Sequence, residues 1–229
     1  FEPPESVWDD PQWKGLEDWH EVMPQHYDTA CRMLGVTENP KLGPADEALR
    51  GAAARRGRAE TFRNTPVGIY FGEPDVTVPD PYFDGRGPER TGCTFCGGCM
   101  VGCRPGAKNT LDNNYLFLAE KAGAEIVADT RVDLVQAIDG GGYRLHWQRS
   151  NGLFSSKRGV TSARKVVFSG GVLGTVRLLM ECKEKGSLPH ISDQLGNIVR
   201  TNSEALLGVT SRSRKDLWDG IAIAAKVEI

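Results

Sequence analysis

Four of the six cysteines fall close together, at Cys93, Cys96, Cys99 and Cys103. Their C-x2-C-x2-C-x3-C spacing matches the bacterial ferredoxin run that ligates an iron-sulfur cluster, except that Pro105 follows one residue late. Zinc also takes four cysteines, but usually as two separated pairs, and structural thiols in a tight loop are a third reading. The spacing therefore predicts a metal site at these four cysteines, with an iron-sulfur cluster as the leading interpretation.

A second pattern is an apolar run, a glycine turn and a helical stretch. Residues 165–168 are followed by Ser169-Gly170-Gly171-Val172-Leu173-Gly174. Glycine lets backbone approach a cofactor, and a helix N-terminus presents free N–H groups. The turn has Ser169 where the dinucleotide fingerprint has its first glycine, and no acidic residue follows about 20 positions later to hold a ribose. It is therefore either a secondary cofactor contact or a structural turn, and is not predicted to be the primary dinucleotide site.

The histidines carry little chemistry by comparison. They are scattered at His20, His26, His146 and His190. The sequence shows neither a Ser-His-Asp arrangement nor a carboxylate pair suited to general acid-base work. We expect a chain that handles cofactors without supplying a catalytic base.

The composition argues against several classes of function. The chain has 229 residues, with 28 Lys plus Arg against 30 Asp plus Glu. With this balance of charges the protein has no broad positive potential to attract the phosphates of nucleic acid, so no nucleic-acid partner is predicted. No apolar run approaches the roughly 18 residues of a membrane-spanning helix. The clustered thiols do not resemble a secreted disulfide ladder and indicate a reducing, cytoplasmic location.

Apolar periodicity and breaker residues predict the elements that position these groups. The first half should be mainly helical and the second half richer in strands, with a long loop at 72–92 that is more often functional than idle. The predicted helices are 16–34, as one helix kinked at Pro24 or two helices restarted there, with a cap at Gly35; 44–54 closed by Gly57; 110–121 closed by Gly123; and 172–182. The predicted strands are 67–71, 125–127, 132–138, 143–148, 165–168, 205–210 and 221–227, with hairpin turns at 139–142 and 150–152.

Several segments together resemble one known family. They are Phe1-Glu-Pro-Pro4, Ala30-Cys-Arg-Met-Leu-Gly-Val36, the cysteine segment from Gly92 to Asp112, the turn Ser169-Gly-Gly-Val-Leu-Gly-Thr175, and Arg200-Thr-Asn-Ser-Glu204. In combination they are similar to the glucose-methanol-choline (GMC) flavin oxidoreductases, in particular the bacterial cholesterol oxidase-like branch. Gly174 and Thr175 replace the Ser/Thr-Pro of the broader family signature, which favours this branch and leaves the substrate open.

The resemblance implies a cofactor and its contacts. FAD is the implied cofactor, with the backbone of Val132 meeting the adenine and the turn at Gly170 and Gly171 lying against the dinucleotide. The catalytic residues of the family would fall downstream of Ile229, so none is predicted within the chain. Some dehydrogenases of the family hold an iron-sulfur cluster in the segment matching Cys93 to Cys103, whereas its oxidases manage without one.

The resemblance also implies an α/β (α+β mixed) fold and a division of the chain. We expect an internal piece of a longer protein, with part of an FAD-binding domain and part of a substrate-binding domain but without the N-terminal Rossmann βαβ unit. Residues 1–108 would be a substrate or cap region with the cysteine-rich loop, 109–184 part of the FAD-binding domain, and 185–229 the start of a substrate-binding sheet.

The implied activity is oxidation of a CH-OH group by hydride transfer to flavin. The substrate would be a small-molecule alcohol, sterol-like or otherwise bulky, and the electrons would leave to oxygen or a redox partner. The alternative is an iron-sulfur electron-transfer module built on the Cys93 to Cys103 loop. Flavin bands in the absorption spectrum favour the first hypothesis, and a cluster band without flavin favours the second.

Overall fold

The computed structural model describes residues 2–152, 157–200 and 204–228. Phe1 of the Phe1–Pro4 motif and residues 201–203 of the Arg200–Glu204 motif lie outside the described residues, as does Ile229. The chain divides into two compact units, residues 1–125 with 210–229 and residues 126–209. Helices and small antiparallel sheets occur together, so the predicted mixed α/β class is confirmed.

Two helices open the first unit, and their ends follow from local sequence. Helix α1, Trp19–Met33, begins where the carboxylate of Asp18 accepts the N–H of Glu21, at 3.3 Å. Pro24 lies inside α1 without ending it, and Gly35 follows with a left-handed φ of 57°. Helix α2, Pro44–Arg55, begins with proline at a position where no N–H is needed. Both predicted helices are confirmed.

The predicted helix 110–121 is only partly confirmed. A 3-10 turn, Leu111–Asn113, comes first, and helix α3 covers Tyr115–Lys121. Asn114 separates them with a non-helical backbone and caps α3 by accepting the N–H of Tyr115 through its side chain. Short polar side chains favour such caps over helix interiors, which explains the interruption.

Strands in the first unit are short. They are β1 Thr37–Glu38, β2 Arg63–Asn64, β3 Pro66–Val67, β4 Thr77–Val78, β5 Arg90–Thr91 and β9 Ala225–Lys226, paired antiparallel as β1-β3, β2-β9 and β4-β5. The prediction of a continuous strand over 67–71 was wrong: beyond β3, Ile69 only forms an isolated bridge with Lys108. Of the predicted strand 221–227 only β9 forms, and 205–210 is not a strand.

The core of the first unit joins segments from both ends of its sequence. It consists of buried Ile69, Cys93, Ala107, Ile221 and Ala224. The carbonyl of Ala224 accepts the N–H of Thr65 at 3.0 Å and a side-chain N–H of Asn39, itself fully buried, at 3.1 Å. Ile221 and Ala224 are therefore part of this core, whereas Ile223 between them is 62% exposed.

The second unit is a three-stranded antiparallel meander with one helix. Strands β6 Thr130–Ala137, β7 Tyr143–Arg149 and β8 Arg158–Ala163 pair in that order, and helix α4 spans Gly171–Glu184. Helix α4 packs on β6, where Val135 and Cys182 are buried. The predictions for β6, β7, α4 and the turn at 139–142 are confirmed.

Two predictions in this unit were wrong. Residues 125–127 and 165–168 form no strand, and Val167 is 86% exposed. The strand after β7 is β8, which the sequence reading missed because its pattern is less apolar than 165–168. Glycine at 159 is required there, since a Cβ would lie 2.2 Å from the indole of Trp147 on the neighbouring strand.

Candidate functional site

The second unit contains a pocket of about 550 Å³ formed by the meander, α4 and the segment that leads into α4. Such a volume is typical of sites for small molecules and cofactor portions. Its apolar side chains come from all three parts, and its polar side chains come from β6, from Ser169 and from α4. The lining residues are Thr130, Arg131, Val132, Asp133, Val135, Leu145, Val166, Val167, Phe168, Ser169, Gly170, Gly174, Thr175, Arg177, Leu178 and Glu181.

Val132 lies in β6 at an irregular point of the ladder. It pairs with Trp147, but the next pair is Leu134 with His146, so Asp133 is an extra residue in β6. A bulge of this kind locally disrupts the ladder hydrogen bonds, and bulges are over-represented next to functional sites. Fewer of the backbone N–H and C=O groups beside Val132 are therefore taken up by ladder hydrogen bonds than elsewhere in β6.

Gly170 and Gly171 form the turn into α4. The N–H of Gly170 donates to the hydroxyl of Thr175 at 3.0 Å, and Gly171 begins the helix at a φ of 68°. A Cβ added at Gly171 or Gly174 would meet no described atom within 4 Å. Glycine at 171 therefore serves the left-handed backbone, and the surface of the turn is open to a ligand.

The sequence reading did not single out the charged residues of the pocket. The Arg131 guanidinium pairs with the carboxylate of Asp133 at 2.7 Å. In α4, Arg177 pairs with Glu181 at 3.0 Å, four residues apart on one face. Each cation is matched by a carboxylate, so the two pairs leave little net charge in the pocket. Only the i, i+4 spacing of the second pair is visible in the sequence.

The four clustered cysteines lie in the first unit, in different environments. Cys93 is buried, Cys99 and Cys103 are half-buried against the same core cluster, and Cys96 is exposed. The N–H of Phe95 donates to the sulfur of Cys93 and that of Lys108 to the sulfur of Cys103, each at 3.4 Å. The loop thus buries one thiol, partly covers two and leaves one in solvent.

Burial raises the pKa of the Cys93 thiol, and the neighbouring Cys99, Cys103 and Cys96 raise it further. Its hydrogen bond from Phe95 offsets this only in part. In residues 2–152, 157–200 and 204–228, no group of three or more His, Cys, Asp or Glu side chains is placed to hold a metal ion. The predicted ligand role of the four cysteines gains no support from this arrangement and stays a prediction.

The long loop 72–92 is ordered around Asp80 and Arg90. The carboxylate of Asp80 accepts the N–H groups of Tyr82, Phe83 and Gly87, each at 2.9 Å. Burial by itself would raise the pKa of Asp80, but the amide hydrogen bonds outweigh burial and hold the pKa below its usual value.

Arg90 is 1% exposed and closes the same loop. Its guanidinium donates to Asn109 Oδ1 at 2.7 Å and to backbone carbonyls of residues 88, 89 and 113, and it lies over the Tyr82 ring. Burial lowers the pKa of Arg90. These contacts account for the order of the loop, so the structure gives it a structural role beside the functional role expected from its length.

Comparison with known proteins identifies the class. Residues 87–195 match the family model described as GMC oxidoreductase. This range includes the cysteine loop, Val132, the pocket and the turn into α4. Over these residues the chain matches the GMC oxidoreductases, and the resemblance inferred from its motifs is confirmed.

Individual relatives are more specific. The chain is 45% identical to a protein named cholesterol oxidase from Acinetobacter baumannii, over 99% of this chain and 43% of that protein. It is 40% identical to a cholesterol oxidase from Mycobacterium tuberculosis, over 99% of this chain and 41% of that protein. The chain thus spans less than half the length of the curated relatives it matches.

No described helix is long and apolar enough to cross a bilayer. The cytoplasmic location stays a prediction.

Proposed function

We propose that the chain is part of an FAD-dependent oxidoreductase that oxidises a CH-OH group of a bulky, sterol-like alcohol. The match to the GMC oxidoreductase family supports the reaction class, and two relatives named cholesterol oxidase support the substrate class. The electrons would pass to oxygen or to another acceptor. In this proposal residues 109–184 contribute to FAD binding, and residues 1–108 and 185–229 contribute to the substrate side.

One observation carries the proposal. Val132 and Gly170, which the family resemblance assigns to the cofactor independently of each other, line the same pocket. They come from different elements, a strand and the turn before a helix, with two further strands between them in sequence. Residues that share a ligand must share a surface, and these two do.

The pocket also suits the cofactor physically. Val132, Val135, Leu145 and Leu178 offer apolar surface for a flat aromatic ring. The bulge at Asp133 disturbs the ladder beside Val132, where backbone groups could read the edge of an adenine. The chemistry of the residues present therefore fits the adenine end of FAD.

Each group has a defined task in this account. The backbone of Val132 orients the adenine, and the glycine turn lets the chain approach the dinucleotide closely, with the Thr175 hydroxyl fixing that turn. The apolar lining excludes water from the bound ring. When bound, FAD supplies the acceptor for the hydride of the alcohol. The chain itself contributes binding and orientation.

The iron-sulfur module is not favoured as an alternative. The described residues show no metal-holding group, and the family match extends well beyond the cysteine loop. Iron and acid-labile sulfide analysis of anaerobically purified protein addresses it directly, and several irons per chain would restore it.

An anaerobic stopped-flow measurement tests the proposed reaction. The complete protein that includes these residues is mixed with cholesterol in detergent micelles or with a short primary alcohol, and the visible flavin band is followed. We expect bleaching with cholesterol at a rate at least about tenfold above that with the short alcohol, because binding energy from a bulky substrate contributes to the transition state. Bleaching by the short alcohol alone would refute the proposed substrate class.

A further inference from the structure

The segment Cys96-Gly97-Gly98-Cys99 forms a tight turn that places two thiols at its ends. Gly97 has a left-handed φ of 70°, and Gly98–Met100 forms one 3-10 turn. The sulfur of Cys96 folds back over this turn, because a Cβ built on Gly98 would lie 3.5 Å from Cys96 Sγ. The C-x2-C spacing is that of dithiols that open and close a disulfide.

The turn is held by backbone contacts of the first unit. The N–H of Gly97 donates to the carbonyl of Gly220 at 2.9 Å, and the N–H of Gly220 donates to the carbonyl of Phe95 at 3.0 Å. A Cβ on Gly97 would lie 2.2 Å from the carbonyl oxygen of Trp218, so only glycine permits this approach. The backbone next to Cys96 is therefore held in place before its thiol reacts.

The four thiols differ in their access to an oxidant. Cys96 is exposed and Cys99 is half-buried three residues later. Cys93 is buried and its sulfur accepts the N–H of Phe95, while the sulfur of Cys103 accepts the N–H of Lys108. Oxidation of thiols follows their exposure, which disfavours the buried Cys93. Cys96 is the thiol that meets solvent first, and Cys99 is the partner at the other end of its turn.

We propose that Cys96 and Cys99 form a redox-active dithiol that peroxide converts to a disulfide. The Cys96 thiolate attacks one oxygen of hydrogen peroxide, the O–O bond breaks, and hydroxide leaves to give a sulfenic acid. The Cys99 thiolate then attacks that sulfur, the S–O bond breaks, and a second hydroxide leaves as the S–S bond forms. The two thiol protons convert both hydroxides to water, so two thiols lose two electrons and one peroxide gains them.

This inference does not depend on the proposed flavin reaction, because the peroxide is supplied from solution. It also differs from metal ligation, which needs all four thiolates at once. The disulfide would close the turn whose backbone is joined to Gly220.

Peptide mapping of peroxide-treated protein tests the inference. The protein is purified under reducing conditions, exposed to hydrogen peroxide, quenched in acid and alkylated with N-ethylmaleimide. Trypsin releases residues 91–108, which contain all four thiols of the loop. We expect a species that has lost two hydrogens and carries alkyl groups on Cys93 and Cys103 only, and that becomes fully alkylated after reduction with dithiothreitol and a second treatment with N-ethylmaleimide.

Serine variants separate the roles. Cys96→Ser should slow peroxide-dependent thiol loss in this peptide by about tenfold or more, because the exposed nucleophile is gone. Cys99→Ser should leave a sulfenic acid on Cys96 that dimedone traps. Cys103→Ser is the matched control and should form the disulfide at the rate of the parent.

Fragment spectra of the parent protein make the outcome independent of variant folding. A Cys96-Cys99 link in these spectra supports the inference even if a serine variant is poorly folded. A link between Cys99 and Cys103, or four alkylated thiols after peroxide has oxidised exposed methionine, overturns it.

Discussion

The backbone N–H of Val135 in β6 donates to the sulfur of Cys182 in α4 at 3.3 Å, and the two residues are 1% and 0% exposed. Ser187, just beyond α4, donates its hydroxyl to the carbonyl of Val135 at 2.8 Å. The helix and the strand are thus joined by polar contacts in the buried centre of the second unit. Because Val135 also lines the pocket, this joint sets the position of one pocket wall.

Cys182→Ala removes both the sulfur acceptor and its buried volume. We expect the free energy of unfolding to fall by about 1–3 kcal/mol, because a small cavity and a weakened hydrogen bond combine. Urea denaturation followed by tryptophan fluorescence measures the change. Cys31→Ala, at a half-buried position on α1, is the matched control and should cost less than half as much. Equal decreases in the free energy of unfolding of both variants would show that the contact between Cys182 and Val135 does not stabilise the protein more than an ordinary half-buried cysteine does.

Arg90→Lys keeps a positive charge but cannot reproduce the bonds of the guanidinium. We expect a loss of about 2 kcal/mol or more in the free energy of unfolding, since Asn109 Oδ1 and buried carbonyls lose their donors. Arg86→Lys, on the exposed side of the same loop, should be near neutral. Thermal denaturation of the two variants side by side gives the comparison, and a neutral Arg90→Lys would contradict a clamping role.

Asp80 predicts a pH-dependent contribution to stability. Its pKa in the folded protein is lowered from 3.8, because the hydrogen bonds from Tyr82, Gly87 and Phe83 outweigh the opposing effect of burial. A lowered folded pKa contributes stability that is complete above the unfolded pKa and is lost as pH falls through the folded pKa. Asp80→Asn should therefore be less stable than the parent at pH 7, with a difference that shrinks below about pH 4.

Chemical denaturation at several pH values between 3 and 7 follows this difference. Asp84→Asn serves as the control, because it lies exposed in the same loop at a φ of 55°, where asparagine is also tolerated. A difference between parent and Asp80→Asn that stays constant down to pH 3 would contradict the role of the ionised carboxylate.

The predictable part of the fold is the part whose signals are local. Gly35 and Gly57 mark the ends of α1 and α2, and the glycines at 140–142 mark a hairpin, because a positive φ favours glycine. The apolar run at 165–168 was misread as a strand, since apolar residues show a preference for burial but not the presence of a pairing strand. Strand β8 depends on pairing with β7 and on the fit of Trp147 over Gly159, which are non-local.

The candidate site likewise has features that the sequence predicts and features that depend on non-local contacts. Val132 and Gly170 were assigned through family resemblance, and the structure shows that they line one pocket. The bulge at Asp133 could not be predicted, because it is a mismatch between two strands and not a property of one. The cysteine spacing alone could not separate a metal site from a dithiol, because the exposure of each sulfur depends on the surrounding core.

Gly174 offers the sharpest test of the cofactor pocket. It lines the pocket from within α4, its backbone is helical, and no described atom lies within 4 Å of a Cβ placed there. Gly174→Leu should therefore leave folding intact, and leucine is a better helix former than glycine. The added side chain would occupy space that the proposal assigns to FAD. Gly51→Leu, at a helical glycine of α2 in the first unit, is the matched control.

The most direct measurement is the FAD content and FAD dissociation constant of the complete protein and these two variants. The protein is purified, its flavin is released and quantified, and FAD is titrated back by fluorescence quenching. The account predicts about one FAD per chain in the parent and in Gly51→Leu, and at least about tenfold weaker binding in Gly174→Leu at unchanged melting temperature. FAD binding of parental strength in a folded Gly174→Leu protein, or no flavin in the parent, would contradict the assignment of this pocket to FAD.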